Sequence, residues 1–258
     1  MSETEFLARL YRGAERRAPG SDDISRRIAA LCGLTAGSKV LDLGSGSGPT
    51  ARLLAKEHGC EVTCVDLDAQ ALDSLMEAAR RDGVEARITP VQADMREVDL
   101  PEGGFRCVVC EGSVRFLGPS LEEASRRVRR LLELDGRLAI TTAARVGRVL
   151  PSAVAAFYQS RGEKLLYPRE LSTALERSGF EPLAAEAFSD ALVDQYYRFV
   201  ESALERLADP DGGEQAAQLK REIEVFRREG GRSAINIVLH VSRRREPGER
   251  PRPTRGGA

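Results

Sequence analysis

No apolar run in the 258-residue sequence approaches the roughly 20 residues needed to cross a bilayer. The opening segment, MSETEFLARLYRG, has no basic stretch followed by an apolar one, so no secretory leader and no membrane association are expected. An excess of charge of one sign is also missing. The 39 basic and 40 acidic residues leave nothing in the overall balance to attract nucleic acid. There are two histidines and five cysteines, and the odd cysteine count with no regular framework fits a reducing, cytoplasmic compartment. What the chain does have is core-forming material, 41% hydrophobic residues, enough for a sizeable interior.

From Ser38 onward, short apolar runs alternate with amphipathic stretches. KVLDLG (39–44), EVTCVDL (61–67), ARITPVQAD (86–94), FRCVVCEG (105–112) and GRLAITT (136–142) read as five strands of a parallel sheet covered on both faces. PTARLLAKEHG reads as a helix ending on Gly59. Leu72, Leu75, Met76 and Ala79 form one helical stripe, and Ala124, Val128, Leu131 and Leu132 another. Residues 167–188 suggest a helix and a strand, and SAINIVLHVSRR (233–244) a last strand that rejoins the sheet. The expected fold is therefore α/β: a doubly wound, mostly parallel seven-stranded sheet with an antiparallel last strand and helices on both faces. Residues 1–33 are expected to form an N-terminal helical cap segment, and residues 34–244 a domain with a helical insertion at about 189–230. Residues 245–258, rich in Arg, Pro and Gly, read as a disordered tail.

The stretch VLDLGSGSGPT (40–50) places a glycine-rich turn between the first strand and its helix. Its glycines, Gly44, Gly46 and Gly48, follow G-x-G-x-G rather than the G-x-G-x-x-G of hydride-transfer dinucleotide folds. Asp42 precedes them by two residues. Further acids stand at the ends of the second and third strands, Asp66 in CVDLD and Asp94 in VQADM.

Together these elements resemble the class I S-adenosylmethionine (SAM)-dependent methyltransferases through residues 34–185 and the last strand. The resemblance implies that the Gly44–Gly48 turn cradles the methionine part of SAM and that Asp42 orients its amino group. It implies that Asp66 takes both ribose hydroxyls with Leu67 beside the adenine, and that Asp94 faces the adenine amino group with Met95 packing alongside. A carboxylate is acceptor-only and suits paired hydroxyls, and several acids suit a cationic sulfonium ligand. More narrowly, Arg17, Pro19, Gly20 and Ser21, with Cys110, Glu111 and Gly112, resemble two stretches of a bacterial subset of small-molecule methyltransferases. By that likeness Arg17 covers the cofactor or pairs with its carboxylate, or else is a solvated loop arginine.

Methyl transfer asks a protein mainly to align the acceptor and exclude water, since the sulfonium is already activated. Glu111, at the C-terminal end of the fourth strand, is the candidate catalytic residue. It would orient an amine, take a proton, or hold the cofactor amino group. Cys107 and Cys110 sit three apart in a strand and so point to opposite faces, which disfavours a redox or zinc site, and no metal is expected. With aromatics only 5% of the chain, the placing of all five tyrosines in the flanks and insertion stands out. Tyr11, Tyr167, Tyr196 and Tyr197 are candidate acceptor-contacting residues of a lid. The expected activity is methyl transfer from SAM to a small-molecule N or O acceptor, leaving S-adenosylhomocysteine (SAH), by a monomer or homodimer. RNA or protein methylation, or SAM binding without turnover, are the alternatives.

Overall fold

The computed structural model describes residues 3–207, 213–246 and 249. The β-rich runs form β1 Lys39–Leu43, β2 Glu61–Asp66, β3 Ile88–Gln92, β4 Phe105–Glu111, β5 Leu132–Arg145, β6 Phe180–Ala187 and β7 Ile235–Arg244. They make one sheet in the order β3-β2-β1-β4-β5-β7-β6. The pairs from β3 through β5 are parallel, and β7 runs antiparallel to both β5 and β6. The expected seven-stranded α/β sheet is what the chain forms.

The helices are α1 Glu3–Leu10, α2 Asp22–Cys32, α3 Pro49–His58, α4 Ala69–Asp82, α5 Leu121–Leu131, α6 Ser152–Ser160, α7 Pro168–Arg177, α8 Asp190–Arg206, α9 Gly213–Arg228 and α10 Gly231–Ala234. Their ends follow local chemistry. Ser21 caps α2 by accepting from Ile24 N at 3.3 Å. Asp68 caps α4 through Gln70 N at 3.0 Å, and α3 stops at Gly59, as its sequence suggests.

Alternation along the strands divides the core into two layers. Val40, Cys64, Cys107 and Val109 pack with apolar residues of α2, α3 and α4 on one face of the sheet. Leu41, Leu43, Val108, Cys110 and Ile140 pack with α5 and α7 on the other. Cys107 and Cys110 thus lie in different layers, and all five cysteines are free and buried. His240 is also buried, in β7, and desolvation lowers its pKa to about 4.

Two local expectations give way to sheet geometry, and one helix forms where none was expected. Leu132 does not continue the α5 stripe; it opens β5, paired with Phe105. Pairing against β4 there overrides helical periodicity. β3 is an edge strand with Thr89 and Pro90 exposed, rather than one covered on both faces. Pro90, which has no N–H to give a further strand, suits that edge. α6, which places Val154, Phe157 and Tyr158 on one buried stripe, falls where no element was expected.

The order of strands reverses between β1 and β4, so a crevice opens at their carboxyl ends. Around it α8 packs on α1 and α9, and α9 on α6. Of the tail, Arg245 N donates to Gly179 O at 3.0 Å and Glu246 N to Glu249 at 3.1 Å. The remaining tail residues lie outside the described ones. Among the described residues no helix is long and apolar enough to cross a membrane.

Candidate functional site

β1 and β2 run side by side, which brings the glycine turn next to Asp66. Gly44 N and Ser45 N both donate to Val65 O, at 2.8 and 3.2 Å. Asp66 accepts from Gly46 N at 2.7 Å and from Asp68 N at 2.9 Å. One carboxylate therefore fixes both the glycine turn and the start of α4 and keeps further lone pairs for a ligand. The backbone at Gly48 is left-handed (φ 64°), and a Cβ there would collide with Leu75. Leu67, 50% exposed, lines the same crevice, an apolar surface beside two acids. Met95 lies against Gly44, with its Cε 3.1 Å from where a Cβ would stand.

At the end of β4, Glu111 is fixed by one oxygen only. Thr50 Oγ1, in the first turn of α3, donates to Glu111 Oε2 at 2.5 Å. Thr50 in turn receives Arg16 Nη1 at 3.1 Å and is hydrogen-bonded to Ser25 Oγ at 2.7 Å. Glu111 Oε1 is buried and has no hydrogen-bond partner among the described residues. The N-terminal strap crosses directly above. Ser47 Oγ donates to Glu15 O at 2.9 Å, Arg17 pairs with Asp68 at 2.8 Å, and Gly20 lies against Glu111. Ala18 fills the space in which a Cβ at Gly112 would stand, only 2.6 Å away, and Gly112 has φ 68°. Replacing Gly112 by valine should therefore lift the strap. The left-handed backbone alone would cost about 1–3 kcal/mol, read as a lower melting temperature with weakened SAH binding.

Electrostatically, three acids converge with little to neutralise them. Burial pushes the Asp42 carboxyl well up, the charges of Glu111 and Asp66 push it further, and only Arg16 opposes them. Glu111 is raised as well, mainly by burial, with Arg16 and Thr50 opposing. A crevice of this kind favours a cation. It suits a pyrophosphate poorly, because Gly46 N, an amide that would cradle phosphate, is already given to Asp66.

Opposite the acids stands the cap. The hydroxyls of Tyr11 and Tyr196 share a hydrogen bond of 2.6 Å. Tyr197 donates to Glu222 Oε1 at 3.1 Å and stacks on Phe226, ring centres 4.3 Å apart. Both halves line a single cavity of about 1510 Å3.

The structure thus brings Arg17, Asp42, Gly44, Gly46, Asp66, Leu67, Asp94, Met95 and Glu111 to one cavity, with Gly48 packed just behind its wall. Asp94 faces Arg96, with Oδ1 and Oδ2 each 3.0 Å from Nε, which holds its carboxyl below the usual range. Of the four candidate tyrosines, Tyr11, Tyr196 and Tyr197 line the cavity and Tyr167 does not. Tyr167 instead begins α7, with its N–H bonded to Glu170 at 2.8 Å and its ring beneath Arg145 at 4.6 Å. Proline at the next position commits that residue to a helix start. Sequence reasoning missed Arg16, Thr50 and Glu222, and it counted Tyr158 among the five tyrosines of the flanks and insertion without selecting it. A signal existed for Arg16: the stretch of the bacterial subset that residues 16–21 resemble reads R-x-x-P-G-S, and counting back from Pro19 gives Arg16 rather than Arg17.

SAM, the cofactor of the resembled family, fits these residues. The unpartnered Glu111 Oε1, the glycine turn that leaves no room for a Cβ at Gly44, and the concentration of acids all suit a ligand with an ammonium, a sulfonium and ribose hydroxyls. Asp66 would hold the ribose, and Asp42 and Glu111 the positively charged end.

Comparison with known proteins agrees. A family model described as a methyltransferase domain matches residues 40–136. A glycine/sarcosine/dimethylglycine N-methyltransferase of Actinopolyspora halophila is 26% identical over 231 residues, covering 86% of this chain and 40% of that protein. A malonyl-[acyl-carrier protein] O-methyltransferase of Enterobacter lignolyticus is 36% identical over 107 residues, 42% of this chain and 39% of that one. The chain therefore spans about two-fifths of the length of these relatives. Among solved structures, a SAM-dependent methyltransferase from Thiobacillus denitrificans in complex with SAH shares the fold, with a TM-score of 0.80 at 20% identity, covering 95% of this chain and all of that one. Residues 40–136, which hold the glycine turn and the strand-end acids, are thus similar to a methyltransferase domain, and the fold of the chain is the one that the solved SAM-dependent methyltransferase has.

Proposed function

We propose that the protein transfers a methyl group from SAM to a small-molecule N or O acceptor by in-line displacement. One observation carries this reading: the three strand-end acids and the tyrosine-bearing cap line one continuous cavity of about 1510 Å3. Single-ligand pockets span about 300–1,000 Å3, so this cavity has room for a cofactor and a small acceptor together.

The cofactor, when bound, supplies a methyl group already activated by its sulfonium. The protein's own residues supply binding, alignment and dryness. Asp66 and the glycine turn fix one side of the cavity, and Asp42 with Glu111 favours positive charge next to them. The strap of Glu15–Arg17 keeps water from the acids, which strengthens every charge interaction beneath it. Glu111 Oε1 is left to hold an amino group or receive a proton from the acceptor.

The test is product analysis by mass spectrometry after incubation of the pure protein with SAM and a metabolite panel. The expected result is a methylated small molecule with matching SAH. Methylation of RNA or protein alone, with the steep salt dependence of a polyanion partner, would redirect the assignment. SAH binding with no product from any class would make the protein a non-catalytic SAM binder.

A further inference from the structure

The cap side of the cavity holds oxygen atoms that the fold itself does not use. Tyr158 is 7% exposed and lines the cavity, yet its hydroxyl has no hydrogen-bond partner among the described residues. Glu222 Oε1 receives the Tyr197 hydroxyl at 3.1 Å, and its Oε2 meets Arg161 Nη1 only at 3.4 Å. A carboxylate offers about four lone-pair sites, so Glu222 retains acceptor capacity. Arg161 is the better partner of Glu163, at 2.9 Å. The hydroxyl pair of Tyr11 and Tyr196 also leaves lone pairs open. Burial raises the Tyr11 phenol to about 12 and Tyr158 higher still, so both stay neutral hydroxyls near neutral pH.

We propose that Tyr158, Tyr196 and Glu222 form the acceptor subsite and that the acceptor is a small primary or secondary amine; this rests on the methyltransferase reading above. Phenol oxygens and a carboxylate converging on one space match a ligand that brings several N–H donors, where an alcohol brings one. The tyrosine rings around them add faces that attract a methylated ammonium. An acceptor whose reacting end is a carboxylate or phosphate would meet Glu222 and Glu163. The subsite adjoins the cofactor half, because Tyr11, bonded to Tyr196, lines the same cavity as Arg17, and Arg17 lies over Gly46. In the transfer, the nitrogen lone pair forms the new C–N bond. The C–S bond breaks with its electrons remaining on sulfur, giving the thioether, and the surplus N–H proton leaves to water.

The test uses the full chain with SAM and matched probes: ethanolamine with ethylene glycol, glycine with glycolate, and tyramine with tyrosol. Methylated product is read by mass spectrometry, and SAH affinity by calorimetry on the same protein. An amine member should be methylated and its hydroxyl counterpart not. Tyr158→Phe and Glu222→Gln should each raise that amine's KM about tenfold or more, with SAH affinity unchanged. Tyr158→Phe removes only an unpartnered hydroxyl, so its melting temperature should match the wild type even if Glu222→Gln loosens the cap. Methylation of the hydroxyl members alone overturns the proposal. So does an amine KM unmoved by both variants, and so does SAH binding with no amine methylated. If the wild-type protein binds no SAH, the methyltransferase reading falls first and the subsite with it.

Discussion

Asp66→Ala should weaken SAH binding about 100-fold or more. The side chain has two tasks that fail together. It fixes the turn by accepting from Gly46 N at 2.7 Å and Asp68 N at 2.9 Å, and it faces the cavity where the ribose hydroxyls would sit. Hydrogen bonds to a charged group contribute about 1.5–3 kcal/mol each. Losing two exceeds the roughly 2.8 kcal/mol that a hundredfold change requires. Alanine also leaves two backbone N–H groups, Gly46 in the turn and Asp68 at the start of α4, without their acceptor, so the melting temperature should fall too. Asp66→Asn keeps the shape but only one acceptor oxygen, and calorimetry should place its affinity between the two.

Glu111→Gln should separate stability from function. Burial raises the folded-state pKa of Glu111 above its ordinary 4.5. A raised carboxyl pKa means that the fold favours the neutral form. Its stability is fully present below the unfolded pKa and is lost as pH rises through the folded one. Near neutral pH the charged form therefore costs stability, and removing the charge should stabilise the ligand-free protein by about 0.5–2 kcal/mol. The advantage should shrink as the pH is lowered towards 4.5, where the wild-type acid is increasingly neutral as well. Turnover should fall at least about tenfold, because an amide in place of Oε1 neither takes a proton nor balances a cation. Thermal melts of both proteins across pH, together with initial rates, would show the two effects moving in opposite directions.

The cluster of acids in the candidate site was legible in the sequence because its parts are local. Each acid sits at the end of a β-rich run, and the sheet register carries Asp42, Asp66 and Glu111 to one crevice. The tyrosine-bearing side of the cavity depends on contacts far apart in the chain. Tyr11 reaches Tyr196 across 185 positions, and nothing in the polar helical pattern of α9 distinguishes Glu222 from the other glutamates of that helix. Tyr167 shows the reverse error: an aromatic in a plausible region is claimed by Pro168 and Glu170 for a helix start. Arg16 and Arg17 are neighbours that local pattern hardly separates, yet the strap turns one towards Thr50 below Glu111 and the other towards Asp68 above the glycine turn. Pro90 carried the edge-strand signal, which the apolar content around it masked.

The central claim is that the crevice between β1 and β4 is a site for SAM. Isothermal titration of the purified protein with SAH tests it most directly. Saturable binding at one site per chain, at micromolar or tighter affinity and lost in Asp66→Ala, is the predicted result. Absence of binding by the wild-type protein, or binding that Asp66→Ala leaves intact, would contradict it.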